Sequence, residues 1–150
     1  MRIRGLLLLG LGLLLLLPPL TFVLCGVAEG MRWSAALAAM TAQFAADAKP
    51  NLLATSVLGL LPLAVYGGVL WLIRRLGRRP ALTTPIGLSG LASLAAVIVW
   101  CNAVAWTSFL PARSMPGWPH GLELVIGPLF FAPPAMLLAS LLAWLVLRRT

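Results

Sequence analysis

Long apolar stretches broken by short polar ones set the pattern of this chain. Apolar residues run almost unbroken through Gly5–Ala28, Leu52–Ile73, Ile86–Leu110 and Leu122–Leu147. Each stretch exceeds the roughly 20 residues that a helix needs to cross a bilayer core. A segment in lipid must satisfy its own backbone N–H and C=O groups, and a helix does so within one segment. The pattern therefore predicts an all-α fold, a four-transmembrane-helix bundle forming a single membrane domain over residues 1–150.

The segment between spans 1 and 2 has its own period. Trp33, Leu37, Met40 and Phe44 recur at intervals of four, three and four residues on an alanine background, which is helical spacing. The run stops at Lys49-Pro50, because proline disfavours helix in the residue before it. Asn51 then suits the cap of span 2. Residues 31–48 are expected to form an amphipathic surface helix, its apolar stripe lying in lipid or docking onto a partner. The segment Pro111–Gly121 is rich in Pro and Gly and holds Trp118 and His120. Trp33, Trp106 and Trp118 fall near one expected interface, where tryptophan is favoured.

Within the spans, polar and small residues are the only local signals. Span 1 is nearly pure leucine up to Pro18-Pro19. It offers no preferred partner surface, so it is expected to face lipid, with Gly10 and Gly12 as its one close-approach point. Span 2 carries Pro62, and span 4 carries Pro128 and Pro133-Pro134. Each proline withholds a backbone donor and bends its helix. Curvature for packing is the simple reading, and a midplane cavity or hinge is the functional one. Gly67-Gly68 is read as a packing feature. Ser89, Ser93, Ala96 and Ala103 share a stripe of span 3 interrupted by Trp100, and Ala135, Ala139 and Ala143 repeat every four residues in span 4. Small residues let helix backbones approach closely in lipid, so these stripes are expected to face each other or a partner helix.

Composition and charge narrow the class. The chain is 61% hydrophobic and 9% charged, which leaves no polar shell for a soluble domain. Its formal charge is +8. Arg2, Arg4, Arg74, Arg75, Arg78, Arg79, Arg148 and Arg149 flank the spans on one expected side. By the positive-inside rule both termini and the 73–81 loop face the cytoplasm, their arginines meeting anionic lipid headgroups. No basic face is interleaved with aromatics, so nucleic acid is not an expected partner. The Ala- and Leu-rich, Arg-over-Lys style points to a bacterial inner membrane. Met1–Arg4 followed by leucines also has the outline of a secretory signal, with Gly26 and Ala28 as small residues before a cleavage site. The run is longer than a signal core of about 7–15 residues, and Leu24 before Cys25 departs from a lipoprotein signal. Span 1 is expected to be retained.

Chemistry is sparse. Glu123 lies at the outer edge of span 4, and no charged residue falls deeper in any span, where one would mark a pathway or site. Asn102 is the most polar residue within a span and is expected to make an interhelical hydrogen bond. His120 and Glu123 stand three residues apart and form, with Asn102, the candidate polar site. Met31, Met40 and Met115 suggest a soft copper site with His120, but methionine also fills interfaces without metal. Cys25 and Cys101 sit at similar depth, which permits a disulfide without requiring one. There is no CxxC, no HExxH and no phosphate-cradling glycine loop. No catalytic set, cofactor or metal is expected.

The leading expectation is a non-enzymatic protein that works by contact, through Trp33, Leu37, Met40 and Phe44 and the Ala135/Ala139/Ala143 stripe. Such a protein is an accessory subunit or assembly factor of a larger membrane complex, or an immunity-type inhibitor. The alternative is a small uncoupled transporter or channel working as a homo-oligomer, with Pro62, Pro133 and Pro134 as hinges and Asn102 and Tyr66 as lining.

Overall fold

The computed structural model describes residues 3–44, 52–76, 80–109 and 122–148. Over these residues the chain is an all-α bundle. Its elements are α1 (Ile3–Ala28), α2 (Trp33–Ala42), α3 (Leu52–Leu76), a 3₁₀ turn (Pro80–Leu82) and α4 (Thr83–Phe109). A final span follows, made of α5 (Leu122–Ile126), a π-helical segment (Gly127–Phe131) and α6 (Ala132–Leu147). Four helices are long and apolar enough to cross a membrane.

The chain runs up through α1, down α3, up α4 and down the final span. One end of the bundle carries Arg4, the last-turn residues Arg74 and Arg75 of α3, and Arg148 beyond α6. The other end carries α2. At the arginine end the guanidiniums of Arg75 and Arg148 lie over the rings of Trp71 and Trp144, at 5.2 and 4.8 Å. These are cation–π contacts, and basic groups also suit the C-terminal ends of α3 and α6.

Helix bounds follow local chemistry more than hydropathy. The third span begins at Thr83 and not at Ile86, because Thr83, Thr84 and Pro85 are polar or imino residues that still fit a first helical turn. The N–H that Pro85 lacks would have no partner inside that turn anyway. The second span continues to Leu76 through two arginines. The surface helix is shorter than residues 31–48, running from Trp33 to Ala42 with a turn at Gln43 and Phe44. Lys49, Pro50 and Asn51 lie outside the described residues, as does the whole Pro111–Gly121 segment with Met115, Trp118 and His120.

The turn from α1 to α2 has a clear local cause. Gly30 adopts φ +93°, a left-handed conformation costly for any residue with a Cβ. Its N–H donates to Val27 O at 3.0 Å, and the Met31 N–H donates to Gly26 O at 2.9 Å. This paired closure is a Schellman motif. It sends the chain back over the bundle, where Leu52 N–H reaches Gln43 O at 3.2 Å and starts α3.

The leucine-rich span exposes Leu8, Leu11, Leu15, Leu16, Leu20 and Leu24, but the expectation that it has no preferred partner surface is overturned. α1 buries Leu6, Gly10, Leu14 and Pro18, one residue per turn, against α3 and α4. The partner surfaces select this face. Gly59 on α3 lies against Leu14, and Gly67 against Leu7. Gly87 on α4 lies against Leu6, while Leu63 and Leu91 fit over Gly10. A Cβ at Gly10 would stand 2.5 Å from Leu63 Cδ1. Gly12 and Gly68 have no such neighbour within 4 Å, so only one member of each glycine pair serves close approach.

Two apolar clusters fill the interior. One joins Leu6, Leu14, Leu63, Leu91, Leu94, Ile98 and Met136 through the body of the bundle. The other joins Phe22, Ala36, Leu52, Ala105, Trp106 and Leu124 at the α2 end.

Candidate functional site

The surface helix docks through a single small residue. Ala36 is fully buried against the α2-end cluster, with Met31, Ala39 and Met40 packed at its margin. The larger side chains point elsewhere. Trp33 is 54% exposed, Leu37 39% and Phe44 38%. Of the expected stripe Trp33, Leu37, Met40 and Phe44, only Met40 turns toward the core. Alanine at position 36 brings the backbone of α2 close to the bundle and leaves three large apolar groups outward.

The small-residue stripe of span 4 takes a different position from the one that buries. Ala132, Met136 and Ser140 form the buried line of α6, while Ala135, Ala139 and Ala143 are half-buried beside it. α4 and α6 are nonetheless direct neighbours. Their contact is polar as well as apolar. Ser89 Oγ donates to Ile86 O at 2.8 Å and reaches Ala139 O at 3.2 Å. Tyr66 Oη on α3 donates to Ile86 O at 3.0 Å and is hydrogen-bonded to Ser140 Oγ at 2.5 Å. This cluster ties three helices together in the arginine-end half. Gly90 makes room for it, since a Cβ there would collide with Tyr66 Oη and stand 2.9 Å from Ser140 Oγ. Tyr66, considered above as pore lining, is 3% exposed and engaged in this clamp.

Asn102 is fully buried, but its hydrogen bonds stay within its own helix. Its Nδ2 donates to Ile98 O at 2.9 Å, and its Oδ1 accepts from Trp106 Nε1 at 3.1 Å. The expected interhelical bond is replaced by a bracket that holds the indole of Trp106. The Phe22 ring of α1 then packs edge-on against that indole, centroids 4.7 Å apart. The polar group orients an apolar contact between helices.

Cys25 and Cys101 are both free thiols. Cys101 packs on Gly127 of the final span, so closely that a Cβ at Gly127 would collide with its sulfur. The approach occurs at the π segment, where the Ala132 N–H donates to Gly127 O five residues back. Pro128, Pro133 and Pro134 all lack donors in this region, which weakens the regular α ladder and admits the wider turn. Pro18 in α1 has a separate remedy. It leaves Leu14 O without its helical donor, and Ser56 Oγ on α3 donates to that oxygen at 2.8 Å.

An apolar groove opens between α4 and the α5–π segment. It holds about 410 Å³ and is lined by Trp100, Cys101, Leu122, Glu123, Ile126, Gly127 and Phe131. Trp100 and Phe131 stand edge to face, centroids 6.0 Å apart. Glu123 is the sole charged residue of the lining. Asn102, one residue beyond Cys101, is absent from that lining, so the candidate polar site Asn102, His120 and Glu123 is not assembled as a unit by the described residues. His120 lies outside them. Among the described residues no three of His, Cys, Asp and Glu gather as metal ligands.

Nothing in the sequence pairs Ser56 with Leu14 O, or Tyr66 with Ser140. The hydroxyl residues within apolar spans were visible, and hydroxyls in lipid seek partners, but the partners depend on helix rotation. Trp100 and Phe131 carried no sequence signal as a pair. Comparison of the chain with protein-family models, curated proteins and solved structures returns no match.

Proposed function

We propose that this chain is a small integral protein of a bacterial inner membrane that acts by binding a larger membrane protein, as an accessory subunit or assembly factor. The observation that carries this reading is the outward set of Trp33 and Leu37 on a helix already docked by Ala36, with Phe44 in the turn that follows it. Aromatic anchors of this kind dominate contact energies at interfaces. The helix stands outside the four spans, where a partner's extramembrane part is within reach. The positive-inside rule supports an orientation with both termini cytoplasmic and α2 on the outer face. An immunity-type inhibitor would use the same surface.

The transporter or channel is the second reading, and one observation favours it: a cavity of about 300 Å³ between α3 and the final span has Tyr66, Ile86, Leu137 and Ser140 in its lining. The contact reading is preferred because that lining is almost wholly apolar and because Asn102 and Tyr66 are occupied in structural hydrogen bonds.

The test is recovery of the complex from native membranes in mild detergent, with mass spectrometry of the bound proteins. Wild-type chain should bring down a stoichiometric membrane partner. The double variant Trp33→Ala/Phe44→Ala should lose it while keeping its helical circular dichroism. Undiminished recovery with the double variant would show that α2 is not the contact surface. Recovery of this chain alone, as a defined oligomer, would refute the accessory-subunit reading.

A further inference from the structure

The α4/α5–π groove has features that filling by bulk lipid tails does not explain. Its walls are apolar and aromatic, yet a carboxylate stands in its lining. Glu123 is one of only three acidic residues of the chain and stands at the end of the bundle opposite Arg4, Arg74, Arg75 and Arg148. Glu123 has no ion-pair partner among the described residues. It stands at the α2 end of the final span, and Phe131 lies eight residues further along, about two helical turns away. The groove thus has a charged end near the expected membrane interface and an aromatic end toward the middle of the span. Trp100 and Phe131 are 56% and 50% exposed, so the groove is open along the surface that lipid covers. Its volume falls within the roughly 300–1,000 Å³ of ligand sites.

We propose that this groove binds a membrane lipid whose headgroup carries an ammonium. The ammonium meets the Glu123 carboxylate and the acyl chain lies along Ile126, Trp100 and Phe131. Charge complementarity selects the occupant: a carboxylate attracts the ammonium of a zwitterionic headgroup and repels a headgroup of net negative charge. The opposite case exists on the same molecule, where the groove between α1 and α3 has Arg4 in its lining. A carboxylate with an apolar slot below it discriminates by headgroup charge, and the slot itself accepts any tail of suitable length.

Bromine on an acyl chain quenches nearby indoles, and Trp100 lies in the groove wall. The full chain is purified in maltoside micelles and titrated with dibrominated phosphatidylethanolamine or dibrominated phosphatidylglycerol. The same titrations of Trp100→Phe are subtracted, which isolates the signal of the groove. The expected result is half-maximal quenching of Trp100 at up to about fivefold lower mole fraction of the ethanolamine lipid, the discrimination of a partly exposed ion pair. Glu123→Gln should erase the preference and Glu123→Asp should keep it. Equal quenching by the two lipids, a preference that survives Glu123→Gln, or no signal attributable to Trp100 would each overturn the proposal. If Glu123→Gln does not fold, the wild-type comparison of the two lipids decides alone.

Discussion

The first and last spans reverse what their sequences suggest. α1 is a leucine run with no evident face, yet it is packed against both α3 and α4. The last span carries a regular alanine stripe, yet only 17% of its most apolar window is buried, against 39% for each of the other three. The difference lies in the partners. Three leucines of α1 seat over glycines of other helices, Leu6 over Gly87, Leu7 over Gly67 and Leu14 over Gly59. The alanines of α6 lie beside the contact line, and the span approaches α4 through Gly127 and the Ser89 and Ser140 hydroxyls instead. Lipid tails are as apolar as leucine, so burial in a membrane is decided by shape and hydrogen bonding. A helix's own pattern says little about shape complementarity with a neighbour.

The contrast is most directly broken by filling one of the holes. Gly59→Leu should destabilise the bundle by about 1–3 kcal/mol, the usual cost of overpacking, measured by unfolding in mixed detergent and dodecyl sulfate. Leu14→Ala in the same chain should recover part of that loss, because two residues in contact couple. Additive losses from the two changes would show that Leu14 does not sit in the Gly59 hole.

A smaller loss should follow removal of the hydroxyls that bridge helices. Ser56→Ala strips Leu14 O of the donor that replaces the missing Pro18 N–H, and Tyr66→Phe opens the Ile86–Ser140 clamp. Interhelical hydrogen bonds in membranes average about 0.6 kcal/mol with a maximum near 1.7, and each variant should fall in that range. Ser56→Ala should cost nothing in a Pro18→Ala background, where the helix supplies its own N–H. A full cost there would sever the link between the proline and the serine.

The smallest effects should come from positions that resemble these only in sequence. Gly12→Leu meets nothing within 4 Å, and Leu142→Ala removes a side chain that is 54% exposed on the last span. Both should lie within about 0.5 kcal/mol of wild type in the same unfolding assay. A Gly12→Leu loss comparable to that of Gly59→Leu would mean that α1 presents a different face.

Of the candidate site residues, Trp33, Leu37 and Met40 were legible as members of a helix outside the spans, because helical spacing is a local signal, whereas Phe44 lies in the turn after that helix. The sequence placed Asn102 in a span but not its bonds, since a side chain with both donor and acceptor can satisfy itself along its own helix. Glu123 was legible as an acid at a span edge. Its neighbours Trp100 and Phe131 were not, because they belong to helices whose relative rotation hydropathy does not encode.

By itself the sequence determined the number of spans, the location of the surface helix and the placing of Arg4, Arg74, Arg75 and Arg148 at one end. These follow from the cost of exposing polar backbone and charge to hydrocarbon, which acts on each segment separately. Only the tertiary structure decided which face of α1 is buried, that the last span widens into a π turn at Gly127, and which hydroxyl serves which carbonyl. Those depend on glycine holes and hydrogen bonds between residues as far apart as Tyr66 and Ser140. In an apolar solvent they are the forces left to choose among helix rotations that hydropathy leaves equal.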